Sequence, residues 1–287
     1  MRIVPFATLR EVLAAAEAGG YAVGAFNTNN LEIVQAIVEA AEAERAPVIL
    51  QASQGALKYA GVNYISAMVR AAAETSSIPI VLHLDHGTSF AQTMLCLRHG
   101  FTSVMFDGSG YALNENIAAT RRVVEVAQAM GASVEGELGK IGGTEDDISV
   151  DGRDALLTDP QEARRFVDET GVDALAVAIG TAHGPYKGVP RLDFDRLAAI
   201  DRLTGVPLVL HGASGVPDEQ IRRAVALGVR KINIDTDLRQ AFTGGVRQAL
   251  QSGGSEYDPR KILGPAKEAM RTVVREKIRL FGCSGKA

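Results

Sequence analysis

Cysteine is scarce in this chain. Only Cys96 and Cys283 occur in 287 residues, one in a helical pattern and one in the tail, which excludes a disulfide framework and points to a reducing compartment. Long apolar runs are missing as well, since nothing approaches the roughly 18 consecutive residues of a membrane span. The start, Met1-Arg-Ile-Val-Pro-Phe-Ala-Thr-Leu-Arg10, has too short an apolar stretch and too early a charge for a signal peptide. A cytoplasmic protein with no membrane partner is the expectation. Excess positive charge is also lacking: a formal net charge of −4 gives nucleic acid no reason to bind, so any phosphate must be held locally. What is present is 46% hydrophobic and 22% charged residues, enough for a large core beneath an ordinary surface.

Short apolar runs alternate with amphipathic segments throughout. Strand patterns fall at 22–26, 47–51, 79–84, 102–106, 133–137, 174–179, 207–211 and 231–234, and helical patterns at 30–44, 63–75, 89–99, 114–130, 160–170, 193–203, 217–227 and 237–251. Eight βα units in one alternation predict an α/β fold of the (β/α)8 barrel type rather than an open sheet. Pro47, Pro79 and Pro207 sit at strand starts, and Gly100, Gly171, Gly205 and Gly228 at helix ends. Two segments depart from the pattern. Residues 138–158 are polar, Gly-rich and long for a βα loop, which suggests a mobile lid. Residues 252–287 form a C-terminal extension with a helical stretch from Pro265, and no second domain boundary is visible, so residues 1–287 read as one domain.

Three of the five histidines close strand-like runs and open a Gly-rich turn, in Ile78-Pro-Ile-Val-Leu-His-Leu-Asp-His-Gly87, Ala174-Leu-Ala-Val-Ala-Ile-Gly-Thr-Ala-His-Gly184 and Val206-Pro-Leu-Val-Leu-His-Gly212. A barrel delivers every strand C-terminus to one rim, and three imidazoles there are the usual complement of a catalytic zinc ion. His86, His183 and His211 are therefore candidate ligands. Asp85 and His86 address one site only if the chain turns between them, which Gly87 permits. Asp85 then either orients an imidazole or moves a proton. His83 lies deeper and reads as structural, and His99, before Gly100, as a helix C-cap. Gly212-Ala-Ser-Gly215 and Asn233-Ile-Asp-Thr236 end the seventh and eighth strands, where backbone N–H groups and a helix N-terminus make an anion site without basic residues. Asp107 ends the fourth strand. Glu135 and Glu137 share a face of the fifth, as rim or interior carboxylates or as solvated loop residues. Glu145, Asp146 and Asp147 are an acidic stretch of the long loop, either solvated or able to bring in a base on a lid.

The chain resembles the zinc-dependent (class II) fructose-bisphosphate aldolases, a group that includes tagatose-bisphosphate aldolases and a related inositol-catabolism aldolase. The likeness spans nearly the whole sequence, through Gly24-Ala-Phe-Asn-Thr-Asn-Asn30, His83-Leu-Asp-His-Gly-Thr-Ser89, Gly100-Phe-Thr-Ser-Val-Met-Phe-Asp-Gly-Ser109, Val134-Glu-Gly-Glu-Leu-Gly139, Gly142-Gly-Thr-Glu-Asp-Asp147, His183-Gly-Pro-Tyr-Lys187, His211-Gly-Ala-Ser-Gly215, Asn233-Ile-Asp-Thr236 and Tyr257-Asp-Pro-Arg-Lys261. The resemblance implies reversible cleavage of fructose 1,6-bisphosphate to dihydroxyacetone phosphate and glyceraldehyde 3-phosphate, with zinc stabilising an enediolate, in glycolysis and gluconeogenesis. It implies that His86, His183 and His211 hold Zn2+, that Asp107 and Glu137 hold it in a resting position, that Asp85 moves the C4 hydroxyl proton and that Glu145 shuttles the C3 proton. Gly184, Gly212, Ala213, Ser214, Asn233, Ile234, Asp235 and Thr236 match the dihydroxyacetone-phosphate pocket, with Asn27, Ser53 and Lys187 as further contacts. A monovalent cation (Na+ or K+) is implied near Gly184, Gly212 and Ser214. Arg260 matches a residue that reaches the distal phosphate from a neighbouring subunit, which implies a homodimer or homotetramer. A tagatose-bisphosphate substrate is the alternative; the Tyr257 tail and the Asp235-Thr-Asp-Leu-Arg239 run look more like fructose-type members.

Three rival chemistries fare worse. A Schiff-base aldolase needs a Lys at a strand C-terminal end, whereas Lys231 begins its strand, at the opposite rim, and Lys187 lies in a loop. A metal-dependent hydrolase on the same barrel would commonly carry a His pair on the first strand, which has none. A structural zinc site is normally closed by a fourth protein ligand, usually Cys, and neither Cys is placed to close one.

Overall fold

The computed structural model describes residues 6–145, 148–151, 155–186, 188–252 and 256–287, with backbone alone at 145 and 148–150. Lys187, Asp146, Asp147 and the side chain of Glu145 lie outside the described residues. In chain order the strands are β1 (Val23–Asn27), β2 (Val48–Ala52), β3 (Ile80–Gly87), β4 (Ser103–Phe106), β5 (Ser133–Leu138), β6 (Gly142–Glu145), β7 (Ile148–Val150), β8 (Ala174–Val177), β9 (Ala182–His183), β10 (Leu208–Leu210) and β11 (Val229–Ile234). The helices are α1 (Leu9–Gly19), α2 (Leu31–Glu44), α3 (Gln54–Ala60), α4 (Val62–Thr75), α5 (Phe90–Arg98), α6 (Leu113–Ala129), α7 (Pro160–Thr170), α8 (Phe194–Thr204), α9 (Asp218–Ala226), α10 (Thr236–Ser252) and α11 (Pro259–Leu280).

Strands β1, β2, β3, β4, β5, β8, β10 and β11 close into a parallel barrel, with β11 returning to β1 from Val23 opposite Lys231 to Phe26 opposite Ile234. These are the eight runs expected from the sequence. Their residues are buried from end to end, as strands enclosed on both faces must be. The helices between them are set by local chemistry. Asn30 caps α2 by accepting from the Ile33 N–H, Asp159 caps α7 with Pro160 in its first turn, and Gly171 and Gly205 end α7 and α8 in the left-handed conformation.

Further elements add to these eight units, and of them the sequence anticipated the C-terminal helix. Helix α1 precedes the first strand and is closed by a capping box between Thr8 and Glu11. The short α3 is inserted after β2, capped by Ser53. The segment expected as a lid loop forms an antiparallel hairpin of β6 and β7, and β6 also pairs in parallel with β9. Backbone pairing supplies the order that its polar composition hides. Finally, α11 begins at Pro259 and carries Pro265 inside it. Its Met270, Val274 and Ile278 are buried in the same core as the barrel strands. A Cβ at Gly245 of α10 would lie 2.6 Å from the Ala266 Cα, so glycine there permits the close crossing of α10 and α11.

Glu44, at the end of α2, ties α11 down. Its Oε1 accepts from Arg275 Nε at 2.9 Å and Arg279 Nη2 at 2.7 Å, and its Oε2 from Ser284 Oγ at 2.9 Å. The Arg279 hydrogen bond, opposed by burial and aided by Arg275 and Ser284, lowers its pKa from the ordinary 4.5 to about 2. A depressed carboxylate pKa contributes stability that is fully present above the unfolded value and is lost as pH falls through the folded one. Glu44→Gln should therefore lower the melting temperature at neutral pH, by about 1 kcal/mol of stability. It should also flatten the loss of stability below pH 4.5, which thermal melts across pH will register.

Candidate functional site

His86 sits at the end of β3 with φ 49°, the left-handed region that costs a non-glycine residue roughly 1–2 kcal/mol. The β3–β4 register shifts between Leu84 and Gly87 at the same place. The turn expected at Gly87 is thus made by His86 itself. Gly87 has a different reason to lack a side chain, since a Cβ there would come within 2.8 Å of the Met105 carbonyl oxygen. His211 follows β10 directly. His183 is placed otherwise than the sequence suggests: the barrel strand ends at Val177, and His183 belongs to β9, opposite Gly143 of β6.

One ligand atom from each of His86, His183 and His211 lies within 4.8 Å of the other two. His211 Nε2 is 2.9 Å from Glu135 Oε1, and His86 Nδ1 is 2.9 Å from Asp107 Oδ2. Burial raises the pKa of both carboxyls, but Lys231 and the histidines overcome it at Glu135, and His86 with Ser109 overcomes it at Asp107, so both stay below the usual carboxylate range. An ionised carboxylate only accepts, so each of these ring nitrogens carries the proton. His86 Nε2 and His211 Nδ1 then lie 2.9 Å apart, and with both rings neutral each offers a lone pair to the space between them. Burial also pushes the His211 pKa down, keeping the ring neutral. Two aimed lone pairs with a third imidazole beside them make a donor set that suits a divalent metal. His86 with Asp107 and Glu137 forms a second cluster, Glu137 Oε2 lying 3.8 Å from His86 Nδ1. Glu135 and Glu137 are both buried, so neither is a solvated loop residue.

Asp85 is fully buried. Asn27 Nδ2 (2.9 Å) and Gln51 Nε2 (3.0 Å) donate to its Oδ2, and Asn233 Nδ2 (3.1 Å) donates to its Oδ1. Asn27, expected to touch substrate, is thus first a support for this carboxylate. Lys231 corrects the sequence reading. The strand read as starting at Lys231 starts at Val229, and the Lys231 Nζ reaches up the barrel interior to within 2.8 Å of both Glu135 Oε2 and Asn233 Oδ1 and is enclosed there. His83 is buried as expected, its Nδ1 2.7 Å from Ser103 Oγ, and His99 caps α5.

A cavity of about 60 Å³ opens beside His183, lined by Gly184, Gly212, Ala213, Ser214, Asn233, Asp235 and Thr236 together with Thr144 and Arg239. Gly212 has φ 61°, and a Cβ there would lie 2.5 Å from the Ala182 carbonyl oxygen. Tyr186 fastens the two loops, its hydroxyl donating to the Gly212 carbonyl and accepting from the Ala182 N–H, both at 2.8 Å. Helix α10 begins at Thr236, so its N-terminus borders the cavity. Ile234 is buried in the core, and Ser53 Oγ accepts from the Ala56 N–H as a helix cap. Arg260 is held by Asp258 with its side chain 90% exposed, away from this cavity. Sequence reasoning passed over Gln51, Tyr186 and Arg239. Gln51 ends an apolar strand at the same rim as Asn27, a signal that was available. Arg239 stands four residues after Asp235, which its guanidinium holds through both carboxylate oxygens at 2.8 Å.

The model of the class II fructose-bisphosphate aldolase family matches residues 7–286. The chain belongs to this family. Its members are metal-dependent lyases acting on sugar phosphates. A fructose-bisphosphate aldolase of Thermus caldophilus is 50% identical, covering 96% of this chain and 98% of that protein. One of Geobacillus stearothermophilus is 49% identical, covering 98% of each. Among solved structures, the YdjI aldolase from Escherichia coli K12 superposes with a TM-score of 0.87 at 33% identity, over 98% of this chain and 99% of that one.

Within this class II aldolase, Gly143 has φ 100°, and a Cβ on it would lie 2.2 Å from the His183 carbonyl oxygen. Gly143→Ala should displace His183 and weaken metal binding about 10–100-fold, the usual effect of disturbing the support of a ligand, while the barrel still folds. Competition with a chelating dye, alongside circular dichroism, checks both.

Proposed function

We propose that the chain cleaves fructose 1,6-bisphosphate reversibly to dihydroxyacetone phosphate and glyceraldehyde 3-phosphate, using Zn2+ held by His86, His183 and His211. The observation that carries this reading is the meeting of three imidazole nitrogens beside a cavity rimmed by glycine turns, whose Asn233 holds the carboxylate of Asp85. A divalent metal on three neutral histidines supplies Lewis-acid stabilisation of the charge that develops on the C2 and C3 oxygens.

The chain's own groups do the rest. Asn27, Gln51 and Asn233 occupy three of the roughly four acceptor sites of the Asp85 carboxylate, leaving one for the C4 hydroxyl proton. As Asp85 takes that proton, the C4 oxygen becomes the aldehyde carbonyl and the C3–C4 electron pair passes to C3. Glu145, on β6 beside the strand of His183, is the candidate that returns a proton to C3. Backbone N–H groups of Gly212, Ala213 and Ser214 and the N-terminus of α10 anchor the phosphate, with Gly184, Asn233, Asp235 and Thr236 around it. That anchoring converts binding into orientation of the reacting carbons. Asp107 and Glu137 offer the metal a second position at His86. Ser53 and Lys187 complete the substrate contacts, and carbonyls near Gly184, Gly212 and Ser214 take Na+ or K+.

Two further features extend the reading. The exposed Arg260 suits a phosphate, because its fork of donors binds two oxygens at once, and it serves a partner's site in a homodimer or homotetramer. Barrel and extension act as one domain in the cytoplasm; both cysteines are free thiols, and among the described residues no helix is long and apolar enough to cross a membrane.

Exhaustive chelation should abolish cleavage and zinc should restore it, whereas Asp85→Ala should keep its metal and lose about 10²–10⁴-fold in turnover. Full activity after chelation sinks the metal reading, and faster cleavage of the C4 epimer than of fructose 1,6-bisphosphate would move the substrate to tagatose bisphosphate. Arg260→Ala should raise KM for the bisphosphate and leave proton exchange of dihydroxyacetone phosphate intact, since only the distal phosphate loses a contact. Equal damage to both activities would make Arg260 structural.

A further inference from the structure

We infer that Lys231 is a positioning residue that sets both the metal-binding His211 and the acid/base Asp85 through one forked network. This rests on the roles given to those two residues above. Lys231 Nζ lies 2.8 Å from Glu135 Oε2 and 2.8 Å from Asn233 Oδ1, and the whole side chain is enclosed in the barrel. An ammonium has only donors, so it dictates which atom each partner turns toward it.

One arm runs to the metal ligands. Lys231 engages Oε2 of Glu135, which leaves Oε1 to accept from His211 Nε2 at 2.9 Å. That bond fixes the proton on Nε2 and aims the Nδ1 lone pair at the space shared with His86 and His183. The other arm runs to the proton-transfer group. Because Asn233 must show its oxygen to Lys231, its Nδ2 faces Asp85 Oδ1 at 3.1 Å. Asn27 and Gln51 both donate to the other oxygen, Oδ2, so Asn233 steers Oδ1. Without the ammonium the Asn233 amide can turn its carbonyl toward the carboxylate, where two acceptors repel. Of the neighbouring groups, His83 Nε2 stands 3.5 Å from Glu135 Oε2, and burial together with Lys231 keeps that ring neutral. Lys231 is thus the cation of the cluster. A buried ion pair is weak evidence for stability, and its retention fits a gain in specificity of arrangement.

The test uses full-length protein carrying Lys231→Met and the double change Lys231→Met/Glu135→Gln. Zinc affinity is read by chelating-dye competition, ligand geometry by the visible spectrum of the cobalt-loaded protein, and turnover by kcat and KM. Lys231→Met should lose about 10–100-fold in zinc affinity, with an altered cobalt spectrum. It should lower kcat much more than it raises KM. In the double variant the Gln carbonyl still accepts from His211 and no unpaired carboxylate remains. Zinc affinity and the cobalt spectrum should recover there, while kcat stays low because Asn233 is no longer steered. Wild-type affinity and kcat in Lys231→Met would overturn the inference. So would a double variant that regains turnover together with zinc, or one that regains neither. If Lys231→Met does not fold, the double variant decides. Wild-type protein that binds no zinc at all overturns the metal reading itself, a result visible before any variant is made.

Discussion

Pairing of β1 with β11 closes the ladder and sets Ala25 opposite Asn233 and Phe26 opposite Ile234. Through that closure the first and last barrel strands bring Asn27 and Asn233 to one carboxylate, Asp85 of β3, while Gln51 arrives on β2, between β1 and β3. An open sheet of the same strands would leave β1 and β11 at opposite edges. The amide cradle of Asp85 is therefore a property of closure rather than of any single motif. The same holds for Glu135 on β5, which meets Lys231 of β11 across the barrel interior.

The interior of this barrel is partly polar, which is expensive. Asp85, Glu135, His83, His211 and Lys231 are all fully buried. Burying ions costs several kcal/mol each even after relaxation, so these groups do not hold the fold together. Apolar packing of the strand exteriors against the helices does that, with Val, Ile, Leu and Ala buried along every barrel strand. The polar column beneath the rim is tolerated because each group in it is paired. Its arrangement is over-determined: moving one donor obliges its neighbour to find another acceptor.

Much of this was legible in the sequence. Short, largely apolar runs punctuated by glycine and proline mark the eight barrel strands, because strands enclosed on both faces are mostly apolar. Histidines at two such points, with a third several residues beyond another run, pointed to the cluster that could hold a metal ion. The misses have physical causes. His183 follows its apolar run by several residues, and only pairing with β6 reveals that it belongs to another sheet. The β6–β7 hairpin is Gly-rich and polar, so its composition reads as loop although its backbone is paired. Lys231 was assigned to the far rim by its position on the strand. A strand rises only about 3.3 Å per residue, and an extended lysine spans two residues or so, enough to carry its charge to Glu135 and Asn233. The turn at His86 was placed one residue late because glycine is the usual occupant of a positive φ, and here a functional residue occupies it instead.

The three histidines are consequently not equivalent. His86 and His211 are set by the barrel ladder and locked by Asp107 and Glu135, whereas His183 is positioned by a small sheet that also contains β6 and β7. Gly143 faces His183 so closely that the hairpin and His183 must shift together. Tyr186 then carries that coupling to Gly212 in the loop that borders the cavity. One continuous chain of contacts thus joins the hairpin bearing Glu145, His183 of the histidine cluster and the Gly212 turn at the cavity. The half of the site around Asp85 and His211 is built into the barrel, and the half around His183 and the cavity is built from loops tied to one another. On the function proposed above, a carboxylate that must meet the same proton at every turnover belongs on the first. Groups that admit, hold and release a sugar phosphate belong on the second.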